Sequence, residues 1–357
     1  MNSMLEGFLG RLPTPSARGA VLNSRVLIRR DLEGHRFPSK ASQPQARAVS
    51  GLIEKAIRNA DQFEVLNLED AETLDRRIAV ERDLLPQSFA VQGGGLLFLG
   101  LREPVWCTVN ETDHLRIRAE IGGPDIRKAY RIAQDVDGLL GESLDYAFSP
   151  ETGYLCSEIA DWGTGLSASV TLHLPALAIA GLVDRALRTA LDSGLSVKGF
   201  WSDESVSTGA LYELETPRGL WADEESLLDR FCDAVERIAS YERGARDELL
   251  SHDVEAVRDI VGRAYGIARF GRRVGYDEGA ETLSRLRLGA CAGILEGFDG
   301  SEGARSFYAL RNAHLLRYGN KNGSPGGGEV PETVRIEQIR AAALRSLVSG
   351  VSVLEVP

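Results

Sequence analysis

The sequence predicts an α+β fold followed by a helical domain, and three observations carry that reading. Two short apolar runs, Leu96-Leu-Phe-Leu-Gly100 and Val105-Trp-Cys-Thr-Val109, flank the turn Arg102-Glu-Pro104, which is a hairpin signal. Leu115 to Ile121 alternates apolar and charged residues, as a strand with one face in the core does. From about Tyr241 to Leu316 apolar residues recur at helical spacing with Arg and Asp opposite them.

The elements follow in order. Residues 45–80 read as mostly helix, because Ala48, Val49, Leu52, Ile53, Ala56 and Ile57 fall on one face. Gly93-Gly-Gly95 opens the strand 96–100, and its hairpin partner is 105–109. The strand 115–121 ends at Gly122-Gly-Pro124, and Asp125 to Leu140 is an amphipathic helix. Leu166 to Leu174 is mixed in character. Pro175 opens a helix running to about Leu191. Val197 to Trp201 and Leu211 to Glu215 are strands, and a helix starts at Asp223. Leu249, Leu250, Val254, Val257, Ile260, Val261, Ala264 and Ile267 make one apolar stripe. A second includes Leu283, Leu286, Leu288 and Ile294. Asn320 to Gly328 is a Gly/Pro-rich break, and a last helix spans about 332–349. The predicted boundary separates a mixed domain, 1–242, from a helical domain, 243–357.

The composition narrows the function classes. A chain of 357 residues fits about two domains. Its net charge of −11, from 41 basic and 52 acidic residues, disfavours nonspecific binding to nucleic acid or an anionic membrane. The N-terminal stretch lacks the pattern of a signal peptide, and no run of eighteen apolar residues offers a membrane span. The cysteines, Cys107, Cys156, Cys232 and Cys291, are far apart and make neither a CxxC pair nor a zinc spacing. Buried thiols in a reducing cytoplasm are expected.

Four segments then appear in a telling order: Val21-Leu-Asn-Ser-Arg-Val-Leu-Ile-Arg-Arg30, Asn110-Glu-Thr-Asp-His-Leu-Arg-Ile117, Gly153 to Val170 with Thr171-Leu-His-Leu-Pro175, and Val197-Lys-Gly-Phe-Trp-Ser-Asp203. Together they resemble the ATP:guanidino phosphotransferases. Arg263-Ala-Tyr-Gly-Ile267 and Leu286-Arg-Leu-Gly289 resemble the C-terminal domain of the bacterial protein-arginine kinases within that family. Creatine and arginine kinases carry their helical domain ahead of the catalytic one instead. The resemblance covers roughly residues 20–350. It implies an antiparallel sheet flanked by helices, with transfer of the γ-phosphoryl of MgATP to a guanidinium nitrogen. Mg²⁺ would arrive with the nucleotide rather than at a protein-held metal site. Such catalysis is mostly positioning and charge stabilisation. Planar guanidinium groups suit the phosphates, and carboxylates align the acceptor and take its proton.

Residue by residue, the resemblance places Ser24 and Arg25 on the family's S-R-x-R segment, with Leu27 where the second arginine belongs. Arg116 falls on the arginine of N-E-E-D-H-L-R. Ser167 stands for the arginine of R-A-S-V, and Ser169 matches its serine. Lys198 replaces the arginine of the R-G loop. Ser24, Arg25, Arg116, Ser167, Ser169 and Lys198 are thus the expected ATP contacts. Thr112 occupies the place of the aligning glutamate. Glu111 is retained beside it, and adjacent strand residues face opposite ways. Asp203 matches the mobile-loop carboxylate. Glu158 holds the family's cysteine position, and Cys156, two residues earlier, would share its face on an extended segment. The candidate catalytic residues are therefore Asp203, Glu111 and Glu158. Asp83 stands where the bacterial kinases have a histidine near the nucleotide. His114 and His173 read as core histidines. The phosphoarginine-binding motif R-D-x-x-R-A corresponds to Pro331-Glu-Thr-Val-Arg-Ile336, in which Arg335 persists.

Three readings follow. One is an ATP-dependent kinase of protein arginine with a weakened or rearranged site. Another is a pseudokinase serving as an adaptor in protein quality control, with a protease or chaperone complex as partner. The third is a different nucleotide-dependent transferase that has recycled the cleft. Loss of a proton-accepting carboxylate costs about 10²–10⁴ in rate, and one preorganised charge donor about 10²–10³. The resemblance further implies a cytoplasmic homodimer acting on a protein partner.

Overall fold

A computed structural model describes residues 3–17, 19–92, 95–199, 207–219, 223–322 and 331–354. The fold is α+β, with a large antiparallel sheet flanked by helices. In chain order the strands are β1 (Val21–Arg30), β2 (Phe63–Asn67), β3 (Leu96–Gly100), β4 (Val105–Val109), β5 (Leu115–Gly122), β6 (Phe148–Ser149), β7 (Gly153–Tyr154), β8 (Leu166–His173), β9 (Ser196–Gly199), β10 (Leu211–Glu215), β11 (Leu295–Glu296) and β12 (Ser352–Val353). The helices are α1 (Ser3–Arg11), α2 (Gln43–Asn59), α3 (Thr73–Glu81), α4 (Gln87–Gln92), α5 (Ile126–Gly141), α6 (Pro175–Ile179), α7 (Val183–Asp192) and α8 (Glu224–His252). They continue with α9 (Val254–Phe270), α10 (Tyr276–Cys291), α11 (Gly300–Ala309), α12 (Asn312–Asn322) and α13 (Glu332–Leu347).

The chain divides into two compact units. One comprises Met1–Pro13, Ser24–Ser169 and Glu215–Asp233; the other comprises Thr14–Asn23, Val170–Leu214 and Ala234–Pro357. The boundary expected at 242 from sequence lies inside α8, which runs without a break from Glu224 to His252.

In the first unit the strand order is β2-β3-β4-β5-β1-β8. The pairs β2–β3, β3–β4 and β4–β5 are antiparallel, with Thr108 opposite Arg116 and Trp106 opposite Arg118. The alternation of β5 explains its two faces. Leu115, Ile117 and Ala119 are fully buried on one side, and α5 packs on β5. Each such large aliphatic side chain stabilises the fold by roughly 1.5–3 kcal/mol. Asp125 caps α5 by accepting from the Lys128 N–H at 3.0 Å. The other side of β5 carries Arg116, Arg118 and Glu120. Nearer β3, Trp106 is fully buried against Phe8 of α1, and its Nε1 donates to the Leu84 carbonyl at 2.8 Å.

The second unit is built around α10, whose Leu283, Leu286 and Leu288 are buried and which packs against α9, α11 and α13. Here β8, β10 and β9 lie side by side in that order. The long apolar stripe read from 249 to 267 is split between α8 and α9 by Asp253, which caps α9 through the Ala256 N–H at 3.0 Å.

Three elements differ from the sequence reading. The stretch 45–80 is not continuous helix: β2 interrupts it and pairs along its whole length with β3. Five residues with no strict alternation carry no strand signal, and the pairing decides. The helix from Pro175 is broken at Gly181, which adopts φ +68°. Leu166 to His173 is regular strand. The expected break at Asn320–Gly328 falls mostly outside the described residues.

Candidate active site

The segment Asn110 to His114 is a tight turn joining β4 to β5. Asn110 has φ +55°, a left-handed conformation that asparagine tolerates. Its N–H donates to the His114 carbonyl at 2.9 Å, and its side-chain amide ties the turn to α2 through the Ala46 carbonyl and the Ser50 hydroxyl. The expectation that Glu111 and its neighbour face opposite sides therefore does not apply, since neither lies on a strand. Glu111 turns onto the charged face of β5. Its carboxylate accepts from Arg116 at 2.5 Å, from Arg118 at 2.9 Å and from the Thr108 hydroxyl at 2.7 Å, with 3% of the side chain exposed. Burial pushes its pKa up, but Arg118 and Arg116 outweigh burial and hold the carboxyl below its ordinary value. A carboxylate held this way is a weak proton acceptor and a strong clamp on two guanidinium groups.

Arg116 also donates through Nε to Asp113 at 2.8 Å. Asp113 accepts the Ser157 N–H at 3.0 Å and stands against Asp31, whose carboxyl is pushed up to about 8 by burial first and the Asp113 carboxylate next. His114 is fully buried, receives the Leu32 N–H at Nδ1 and meets the Arg36 carbonyl at Nε2, so it is a core histidine. His173, in the second unit, is likewise buried between the Ser284 hydroxyl and the Arg287 guanidinium.

Farther along the same face of β5, Glu120 is 1% exposed. It accepts from Arg82 at 2.5 Å and from Arg25 at 2.7 Å. Burial raises its pKa, yet Arg82 and Arg25 overcome that and bring it to about 2. Arg25 also pairs with Asp83, which holds φ +59° just after α3, and lies over the Trp106 ring at 5.5 Å. Ser24, one residue away on β1, faces the other side and donates to the Gly123 carbonyl at 2.7 Å, fully buried. It does not share the face of Arg25.

Alternation along β1 and β8 adds Leu27, Arg29, Ser167 and Ser169 to this face. Arg29 donates to the Ser167 hydroxyl at 3.2 Å and lies 3.5 Å from Asp161. Asp161 is already held by Arg218 through two bonds of 2.9 and 2.6 Å. Glu158 pairs with the same Arg218 at 2.8 Å, half exposed. Cys156 does not share a face with Glu158: it is 1% exposed, lies against the Arg29 carbonyl, and burial pushes its thiol up to about 12.

The first unit thus brings together Arg25, Glu111, Arg116 and Ser167, with Ser169 on the same face and Glu158 at its edge. Lys198 belongs to the second unit, where it pairs with Glu213 at 2.9 Å. Arg335, half-buried on α13, is also in the second unit. Asp203 lies outside the described residues. Among the described residues no three His, Cys, Asp or Glu side chains gather as a metal site, and no helix is long and apolar enough to cross a membrane. Arg29, Arg82, Arg118, Asp113, Glu120, Asp161 and Arg218 went unmarked in the sequence. The period-two spacing Arg116-x-Arg118-x-Glu120 was the signal that could have found two of them, Arg118 and Glu120.

Residues 46–245 match the ATP:guanido phosphotransferase C-terminal catalytic domain. The chain is 32% identical over 301 residues to the protein-arginine kinase of an Exiguobacterium species, covering 84% of this chain and 87% of that one. It is 34% identical over 281 residues to the protein-arginine kinase of Brevibacillus brevis, covering 77% and 79%. For the protein-arginine kinase of Bacillus subtilis the identity is 30% over 282 residues, with 78% of each covered. Among solved structures, the duplicated taurocyamine kinase from Schistosoma mansoni with bound transition state analog components superposes with TM-score 0.57 at 20% identity, covering 68% of this chain and 37% of that one. Lombricine kinase superposes with TM-score 0.55 at 17% identity, covering 65% and 71%. These two likenesses concern the fold. The family match and the 30–34% identities over most of the chain go further: the chain belongs to the ATP:guanidino phosphotransferase family.

Proposed function

We propose that this protein transfers the γ-phosphoryl group of MgATP to the guanidinium of a protein arginine, through a rearranged site. The observation that carries this reading is the charged sheet face of the first unit, where Arg25 and Arg116 are held in fixed orientation by buried carboxylates. Guanidinium groups whose rotamers are locked before the nucleotide arrives bind phosphate oxygens without reorganising. Mg²⁺ would enter with the nucleotide and neutralise phosphate charge. Within the first unit the protein's own work is positioning: Glu111 and Glu120 orient the arginines, and Glu158 aligns the acceptor guanidinium. The relatives named protein-arginine kinase support protein arginine as the acceptor. The setting proposed is the cytoplasm, the partner a protein with exposed arginines, and the assembly a homodimer.

A specific observation favours a second reading. Every arginine expected to touch phosphate in the first unit is already engaged: Arg25 by Asp83 and Glu120, Arg116 by Glu111 and Asp113. With Thr112 in place of the aligning acid, such a face serves equally as the rigid core of a pseudokinase adaptor. One experiment separates the two. The purified protein is incubated with MgATP and an arginine-rich unfolded protein, and phosphoarginine is sought by mass spectrometry under non-acidic conditions, beside a Lys198→Ala, Asp203→Ala variant. Phosphoarginine that disappears in the variant establishes the kinase. Absence of product together with no shift of melting temperature on adding ATP overturns it in favour of the adaptor.

A further inference from the structure

On the charged sheet face, Arg29 differs from its neighbours in how poorly its charge is met. Its side chain is 6% exposed. Its Nε faces the Asp161 carboxylate at 3.5 Å without forming a hydrogen bond. Its one side-chain hydrogen bond runs to a neutral hydroxyl, that of Ser167, at 3.2 Å. The nearest carboxylate, Asp161, stands at 3.5 Å and already accepts two shorter bonds from Arg218. By contrast Arg25, Arg82, Arg116 and Arg118 each hold a carboxylate at 2.9 Å or less. Arginine does not shed its proton in proteins, so an under-compensated buried guanidinium is relieved only by a nearby anion.

Position agrees with that. Arg25 and Arg29 lie on the same face of β1, four residues apart, with Leu27 between them. Arg29 reaches across to Ser167 on β8, so a guanidinium occupies the space beside a residue too short to supply one. Burial lowers the Arg29 pKa most, the Asp161 carboxylate partly offsets that, and the nearby Arg116 charge, a smaller effect, lowers it again. Two cations directed at one region, with one of them sharing its carboxylate with Arg218 at longer range, describe an anion site.

We propose that Arg29 is a phosphate-binding residue, supplying from β1 the cationic contact that Leu27 and Ser167 cannot make. This rests on the nucleotide reading above. The chemical class recognised is a polyphosphate, so ATP and ADP depend on Arg29 and AMP depends on it far less.

The test is calorimetric binding of MgATP, MgADP and AMP to the full chain as wild type, Arg29→Met, Arg29→Lys and the pair Arg29→Met, Ser167→Arg. Loss of a charge-assisted contact predicts that Arg29→Met weakens MgATP binding about tenfold or more, with AMP binding changed less than twofold. Arg29→Lys keeps charge without the planar fork and is expected to lose several-fold, and Ser167→Arg is expected to restore MgATP affinity in the Arg29→Met background. Folded variants that bind MgATP within twofold of wild type overturn the inference and leave the nucleotide reading standing. Should Arg29→Met not fold, an unchanged MgATP affinity in Arg29→Lys does the same. Wild-type protein that binds no nucleotide overturns both.

Discussion

Replacing Glu120 with glutamine tests the charged face most directly. The carboxylate is 1% exposed and bridges Arg82 and Arg25. Its pKa falls from 4.5 to about 2 on folding. At 1.36 kcal/mol per unit, that drop corresponds to roughly 3 kcal/mol of stability at neutral pH. Removing one partner from a buried ion pair costs about 3–5 kcal/mol by a separate route, so the two estimates agree. The sign follows from the depressed folded pKa: the contribution is fully present above pH 4.5 and is lost as pH falls toward 2. Urea denaturation of wild type and Glu120→Gln at pH 7 is expected to differ by about 3 kcal/mol, shrinking to roughly 1 kcal/mol at pH 3. A difference below about 1 kcal/mol at pH 7, or one that does not change with pH, would refute the view that Glu120 is the ionised centre of this face.

Other perturbations follow from the same geometry. Asp83 is 44% exposed at its side chain and pairs with Arg25. Asp83→Asn is expected to change stability by less than about 1 kcal/mol while raising MgATP affinity a few-fold by removing one carboxylate competitor for Arg25, which Glu120 still orients; calorimetry showing weaker binding would contradict this. Glu242 accepts the Ala176 and Leu177 N–H groups at 2.9 and 3.0 Å, and burial lifts its pKa to about 7 despite Arg246 and Arg287. A raised folded pKa means its contribution is present below pH 4.5 and is lost as pH rises through 7, by up to roughly 3 kcal/mol. Melting curves from pH 5 to 8 should show a decline in wild type that Glu242→Gln flattens, and equal slopes would exclude it. Gly165 has φ +65°, and a Cβ there would meet the Arg29 carbonyl at 2.6 Å. Gly165→Ala is expected to destabilise by roughly 1–3 kcal/mol in denaturant titration, and a neutral result would mean that β1 and β8 can separate locally.

Much of this protein was legible in its residues. The hairpin of β3 and β4, the alternation of β5 and the helices α5 and α13 follow from periodicity, because a side chain's face is fixed by its place in the repeat. Arg25 and Arg116 could be singled out because their motifs are local. What escaped was anything that depends on partners distant in sequence. β2 exists because β3 lies beside it. Ser24 looked like a phosphate contact until strand alternation turned it to the Gly123 carbonyl. Cys156 and Glu158 looked paired, but one is buried against the Arg29 carbonyl and the other is half exposed beside Arg218.

Glu111 shows the division most clearly. The sequence by itself determined that a carboxylate, two arginines and an asparagine would sit within nine residues, and its motifs pointed to the family. Only the tertiary structure decided what that carboxylate does. The turn at Asn110 aims it at Arg116 and Arg118, and burial at 3% exposure strengthens those ion pairs. Sequence sets which charges are available. Whether a charge becomes a base, a clamp or an anion site depends on distance and dielectric, and those are properties of packing.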